Sequence, residues 1–184
     1  MGLKTGNRIE KIVSMIEKCD CVADIGTDHG KVSERILEEG KAERVIATDI
    51  SVPSLNKARK LLGDGRFQGR VSFREGNGLS VLEEGEADGA IMTGMGGKLI
   101  VGMLLSSKNI TDSLGFFLLS PQKNVEDVRR TLIGIGFSIT REEISIEDRR
   151  YYNIILASRS GNDFPYSEDE FITGRASLVG DREE

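Results

Sequence analysis

Seven consecutive residues, Asp24-Ile25-Gly26-Thr27-Asp28-His29-Gly30, bring two acids, the only histidine of the chain and two glycines onto one short stretch that follows an apolar run. A glycine at position 26 allows positive φ and leaves no Cβ between the backbone and a ligand. Gly30 gives the stretch the spacing Asp24-x-Gly26-x-x-x-Gly30, which is not the G-x-G-x-x-G of a pyrophosphate-binding turn. Asp24 and Asp28 put negative charge where a pyrophosphate would lie, so they suit a cationic ligand instead. Asp49 lies 25 residues beyond Asp24, at the end of a second apolar run, where a carboxylate can accept both hydroxyls of a ribose. A ligand that joins ribose to positive charge and carries no phosphate is S-adenosylmethionine, whose ammonium and sulfonium groups the acids would meet. Simpler roles compete: a tight turn without ligand for Gly26, and a capping or ion-paired aspartate for Asp49.

Further candidates recur at matching places. Gly76-Asn77-Gly78 offers an amide that both donates and accepts and could read an adenine edge, or is only a turn. Thr93-Gly94-Met95-Gly96-Gly97 opens a helix with three glycines, which could present free N–H groups to a ligand or serve close packing alone. Ser120-Pro121-Gln122 closes another apolar run, and Gln122 could hydrogen-bond a base edge. His29 could act as a general base, but orienting the loop or touching substrate is the expected role.

The elements that must position these residues follow from periodicity. Ile9, Ile12, Val13 and Ile16 form one apolar stripe and predict a helix over about 6–18. Strands are predicted at 21–25, 44–50, 70–75, 88–94 and 115–120, with helices over 31–40, from Ser51 onward with Pro53 in its first turn, over 98–107 and over 124–136. This alternation predicts an α/β domain with a parallel sheet. Residues 137–147 and 151–158 look instead like two strands joined by a short charged turn, so the sheet should be mixed, its last strand antiparallel. In such a sheet ligands bind beyond the carboxyl ends of the strands, which is where all five candidate segments fall.

Composition bounds the rest. With 184 residues and 38% hydrophobic content the chain fits one compact domain over 1–160, followed by a polar tail over 161–184 that is a loose end or a short helix. There are 25 basic and 30 acidic residues, so a nucleic-acid partner would have to meet a local basic patch. Cys19, Cys21 and one histidine are too few to complete a tetrahedral metal site, so no metal is expected and the cysteines read as strand or core residues of a reducing cytosol. Without a signal-like or membrane-spanning apolar run, the expected location is cytoplasmic.

The ordered segments "VADIGTDHG", "ATDI", "GNGL", "GMGGKLI", "LLSPQKN", "VRRTLIGIGF" and "RRYYNIILA", between about Asn7 and Ser158, resemble the bacterial tRNA (adenine-22-N1)-methyltransferases, a class I S-adenosylmethionine-dependent family. The resemblance implies a Rossmann-like sheet of seven strands with helices on both faces, and methylation of N1 of an adenine in tRNA. It implies a methyl donor held across Asp24, Gly26, Asp49 and Asn77, with Thr27, Asp28, Gly30, Ile50, Gly76, Gly78, Thr93 and Gly94 around it. N1 carries a lone pair, so transfer needs positioning more than a base. N1 is also paired in duplex RNA, so the base must be flipped or unpaired. His29, Met95, Gly96, Pro121 and Gln122 are then the candidate walls of the base pocket, and Arg8, Lys11, Lys31, Lys98 and Lys123 the candidate phosphate contacts. Two departures stand out: Lys31-Val32-Ser33 replaces a Tyr-Leu-Pro-like segment, and the tail from Gly161 carries no heptads where the family has a helical domain, of which it would be the remnant or start. A methyltransferase acting on a small molecule or protein, and a non-catalytic nucleotide-binding domain, are the rival readings.

Overall fold

A computed structural model describes residues 8–63, 65–161 and 165–175. Strands β1 (Cys19–Ile25), β2 (Ala42–Asp49), β3 (Val71–Glu75), β4 (Gly89–Thr93), β5 (Phe116–Ser120), β6 (Ser138–Glu147) and β7 (Arg150–Ser158) form one sheet in the order β3-β2-β1-β4-β5-β7-β6. The first five are mutually parallel, whereas β7 runs antiparallel to both β5 and β6. The expectation of a mixed sheet with an antiparallel last strand therefore holds, and the structure adds where that strand sits. Asp148 and Arg149 make a two-residue turn that forces β6 and β7 together. Ile154, Ile155 and Ala157 make β7 the more apolar partner, so it takes the interior slot. β6, with Arg141, Glu142, Glu143 and Glu147 along it, is left at the edge, where charge discourages further pairing.

Helices α1 (Arg8–Ser14), α2 (Lys31–Glu38), α3 (Val52–Leu62), α4 (Gly97–Ser106), α5 (Lys108–Ser113), α6 (Val125–Gly134) and α7 (Glu168–Thr173) complete the fold, with a 3-10 turn over Gly78–Val81. Successive residues of a strand point to opposite faces. Val22 of β1 accordingly joins the core made with Ile12, Ile36, Leu37 and Leu62 of α1, α2 and α3. Ala23 and Ile25 join the core on the other face, with Ile100, Leu104, Val128 and Leu132 of α4 and α6. Asp24 shares the face of Val22 and so points at α2.

The helix predicted over 98–107 matches α4, which stops at Ser106; the added feature is α5, whose Thr111 donates its hydroxyl to the Leu104 carbonyl left free at the end of α4. No helix among the described residues is long and apolar enough to cross a membrane. Within the described part of the tail, α7 starts with a capping box between Ser167 and Glu170. A buried ion pair fastens it. Arg129 on α6 and Glu142 on β6 have side chains 1% and 3% exposed and meet at 2.7 Å. Arg129 also donates to the carbonyls of Phe171 and Ile172, and Glu142 accepts from the Tyr166 hydroxyl and the Arg175 amide. Breaking such a pair from one side strands a buried charge at a cost of about 3–5 kcal/mol. Arg129→Met should lower stability by that order in urea denaturation, and the double variant Arg129→Met/Glu142→Gln, which neutralises the orphaned acid, should recover part of the loss.

Candidate functional site

The carboxyl end of β1 is closed by a buried carboxylate and a bonded turn. Asp24 is 2% exposed, and its Oδ2 accepts from the hydroxyls of Thr27 at 2.8 Å and Ser33 at 2.6 Å. The turn between them is closed by the Thr48 carbonyl of β2, which accepts from the amides of Gly26 and Thr27, both at 2.8 Å. Gly26 sits at φ 71° and Gly30 at φ 78°, both in the left-handed region that glycine adopts without strain. Burial pushes the Asp24 carboxyl above its usual range against the opposing hydrogen bonds from Ser33 and Thr27, and the Asp49 charge adds to the rise.

Asp49 lies one residue beyond the β1–β2 register pair Ile25–Thr48, which sets it level with Gly26. Its two carboxylate oxygens accept backbone amides from either side, Asp28 at 3.0 Å and Ser51 at 2.8 Å. A cavity of about 640 Å³ opens over these groups, within the size range of small-ligand sites. Its walls hold Asp24, Gly26, Thr27, Asp28, His29, Asp49, Ile50, Gly76, Asn77, Gly78, Thr93, Gly94, Met95 and Gln122, together with Arg8 and Lys31. Residues from five strand ends thus converge where the order reverses between β1 and β4. A hollow of about 780 Å³ lies at the opposite edge, by Cys19, Asp88 and Phe116, at the amino ends of β1, β4 and β5, away from the glycine turns.

Gly30, Gly96, Pro121, Lys11, Lys98 and Lys123 do not line the cavity. A Cβ on Gly30 would lie 3.1 Å from Ala58 and Leu62, so this glycine lets α2 start against α3. Lys11 donates its ammonium to the Ile144 carbonyl at 2.8 Å, which occupies it in holding α1 on β6. Lys98 and Lys123 are exposed outside the cavity, and Pro121 is buried behind it. Arg8 is at the wall, but its guanidinium lies 4.4 Å above the Tyr152 ring and near Glu147, so it is committed to α1 docking.

Two loops that read as separate motifs turn out to be one wall. The amide of Gln122 donates to the Met95 carbonyl and that of Gly97 to the Lys123 carbonyl, both at 2.8 Å, while Gly94 donates to Ser120 at 3.3 Å. A Cβ on Gly97 would fall 2.4 Å from the Asn124 carbonyl oxygen and 2.5 Å from that of Lys123. Close packing is therefore the reason for this glycine, between loop and loop. The Met95 methyl reaches across the switch point to Gly26, 2.2 Å from where a Cβ would stand. His29 is half exposed at the rim, with Nδ1 3.1 Å from Asp28 and Nε2 2.9 Å from the Lys57 ammonium. An ammonium can only donate, so this geometry has Nε2 accepting and Nδ1 carrying the proton toward Asp28.

Ser33, Lys57 and the apolar lining residues Ile9, Ile12, Val32, Leu99 and Met103 were not predicted for the site. Ser33 had a signal: it shares the buried face of α2 with Ile36 and Leu37, and a lone hydroxyl there needs a partner. Lys57 had none, since its relation to His29 arises only when α3 packs beside the turn.

Two outcomes follow from this geometry. Gly97→Ala should separate the paired loops and cost about 1–3 kcal/mol in urea unfolding. For Asp24, a raised folded-state pKa means the folded protein holds the proton more tightly than the unfolded chain does. Its favourable contribution is then full below the ordinary value of 3.8 and is lost as pH rises through the folded value. The stability difference between the wild type and Asp24→Asn should shrink with rising pH over that window in unfolding titrations; a constant difference would count against the burial effect.

Known proteins are similar to this chain in sequence and fold. The Bacillus subtilis (strain 168) tRNA (adenine(22)-N(1))-methyltransferase is 28% identical over 178 residues, covering 97% of this chain and 74% of the relative. The crystal structure of the B. subtilis M1A22 tRNA methyltransferase TrmK superposes with a TM-score of 0.84 at 27% identity, over 99% of this chain and 79% of that one. The M. capricolum TrmK in complex with S-adenosyl-homocysteine has the same fold, with a TM-score of 0.83 at 24% identity over 92% of this chain and 75% of that one. A model of the methyltransferase domain matches residues 5–155, which span every strand end of the cavity, and the chain belongs to that family.

Proposed function

We propose that this chain is an S-adenosylmethionine-dependent tRNA methyltransferase that modifies N1 of an adenine, the position-22 adenine named for the B. subtilis relative. The observation that carries the reading is the charge of the cavity floor: Asp24, Asp28 and Asp49 surround a glycine turn, with Asp49 held open-faced by two amides. That floor repels phosphate and accommodates a cationic donor. Asp49 receives the ribose hydroxyls, exposed Ile50 covers the donor adenine, and the Asn77 amide, without a protein partner among the described residues, reads its edge. Gly26 keeps the floor low enough for the donor to lie on it, and the flexible Met95 methyl above it is the group that yields.

Bound there, S-adenosylmethionine supplies an electrophilic methyl group on a positively charged sulfur. The chain's own contribution is placement. The paired loops bring Met95 and Gln122 to the opposite wall, where Gln122 can hydrogen-bond the edge of a flipped adenine. When the N1 lone pair took the methyl carbon, the carbon–sulfur bond would break and S-adenosylhomocysteine would leave as a neutral thioether, so the positive charge would pass to the base, and the acidic floor would favour the cation at both ends of that path. No side chain has to remove a proton first, so His29 positions Asp28 and the rim. A tRNA substrate supports the reading of a cytoplasmic protein.

Incubation of bulk tRNA with methyl-labelled donor, followed by nucleoside analysis, should put label in 1-methyladenosine. Label absent from RNA while S-adenosylhomocysteine still binds would move the substrate to a small molecule or protein. Asp49→Ala should weaken S-adenosylhomocysteine binding by about tenfold or more in calorimetry, since a charged acceptor is lost. Unchanged affinity in the folded variant would remove Asp49 from the donor site.

A further inference from the structure

The tip of the β6–β7 hairpin is built against its own turn chemistry. Asp148 and Arg149 sit at φ 47° and 61°, where two-residue hairpin turns ordinarily use Asn-Gly or a similar pair. A long side chain in the left-handed region is strained, and such strain persists where something other than the turn requires the residue. Arg149 and Arg150 are exposed, and neither has a carboxylate partner among the described residues. Glu147, the nearest strand acid, is occupied by the Arg8 amide at 2.7 Å, which leaves Asp148 as the exposed acid of the turn. Next to them Tyr151 is 73% exposed, the one aromatic among the large apolar side chains that stand out from the described surface.

The tip also lies on the side that matters. β6 is antiparallel to β7, which is antiparallel to β5, so β6 runs with the parallel strands and its carboxyl end at Glu147 reaches the edge where the cavity opens. Arg8 ties the two together: it lines the cavity, bonds Glu147 and stacks on Tyr152. Three strand spacings separate β4 from β6, roughly 14 Å, which is beyond the target nucleotide but within reach of its neighbours. In a chain of net charge −5, polyanion binding has to be local, and two unpaired guanidinium groups just before an exposed ring make a local site for single-stranded nucleic acid.

We infer that the β6–β7 tip grips the tRNA beside the target adenine, with Arg149 and Arg150 on phosphates and Tyr151 stacked on a neighbouring unpaired base. This rests on the tRNA reading above. The test uses the full chain, an unmodified tRNA transcript with S-adenosylmethionine for the kinetics, and S-adenosylhomocysteine as the calorimetric probe of donor affinity. Arg149→Ala/Arg150→Ala and Tyr151→Ala should each raise KM for tRNA about tenfold, with donor affinity unchanged and kcat altered little. The double arginine variant should also flatten the dependence of log affinity on log salt by about 1.5, as two phosphate contacts are lost. Tyr151→Phe should behave as wild type. Arg149→Gly, suited to the turn, should raise the melting temperature and still raise KM. Wild-type KM and salt slope in the alanine variants, with the wild type methylating tRNA, overturns the inference about the tip. A wild type that binds donor but leaves tRNA unlabelled overturns the tRNA reading instead.

Discussion

A single buried carboxylate at the end of the central strand decides where the rest of the site can be. Asp24 faces α2 and takes hydroxyls from Thr27 and Ser33, one in the turn and one in the helix that follows. That pairing fixes the turn so that Gly26 and Thr27 both donate to Thr48, which locks β1 to the end of β2. The same turn aims the Asp28 amide at Asp49. A residue that the sequence offers as a ligand for positive charge is thus first a structural anchor. Its contribution to ligand binding is indirect, through the geometry of Asp49 and Gly26, as well as through its field.

The opposite wall follows a different logic. Where the β1 and β2 ends add the carboxylates of Asp24 and Asp49 to their backbone bonds, the ends of β4 and β5 are held backbone to backbone, with glycine at position 97 because two carbonyl oxygens leave no room for more. A backbone-paired wall leaves the Gln122 side chain free of structural duty, while Met95 packs on the core beside it. Side chains with that freedom can be shaped by what they contact.

Much of this was legible in the sequence because the physical signals were local. Apolar runs punctuated by glycine and aspartate marked each strand and its carboxyl end, and a doubly wound sheet places all such ends together. The charged turn between 147 and 151 announced a hairpin. Illegible were the relations that arise from packing between distant segments: Gly97 against Lys123, Lys57 beside His29, and Lys11 spent on the Ile144 carbonyl. The candidate cations divide in a way no string of letters shows: Arg8 and Lys31 line the cavity, Lys11 caps a carbonyl, and Lys98 and Lys123 face solvent outside it. Helix α5 was hidden because its buried residue, Thr111, is polar and bonds back across seven residues to Leu104, further than a helical repeat reveals.

The slot that β7 occupies has a consequence for how the chain reaches this state. Until β7 is made, the edge of β5 that carries Phe116, Phe117, Leu118 and Leu119 has no partner, although every residue of the glycine turns has already been synthesised. During vectorial synthesis the ligand floor therefore exists before the sheet is closed, and an apolar strand edge stays open to wrong pairing over the interval. The short hairpin turn shortens that exposure: β6 and β7 can zip locally and arrive as a preformed pair, with β7 meeting β5 in one docking event.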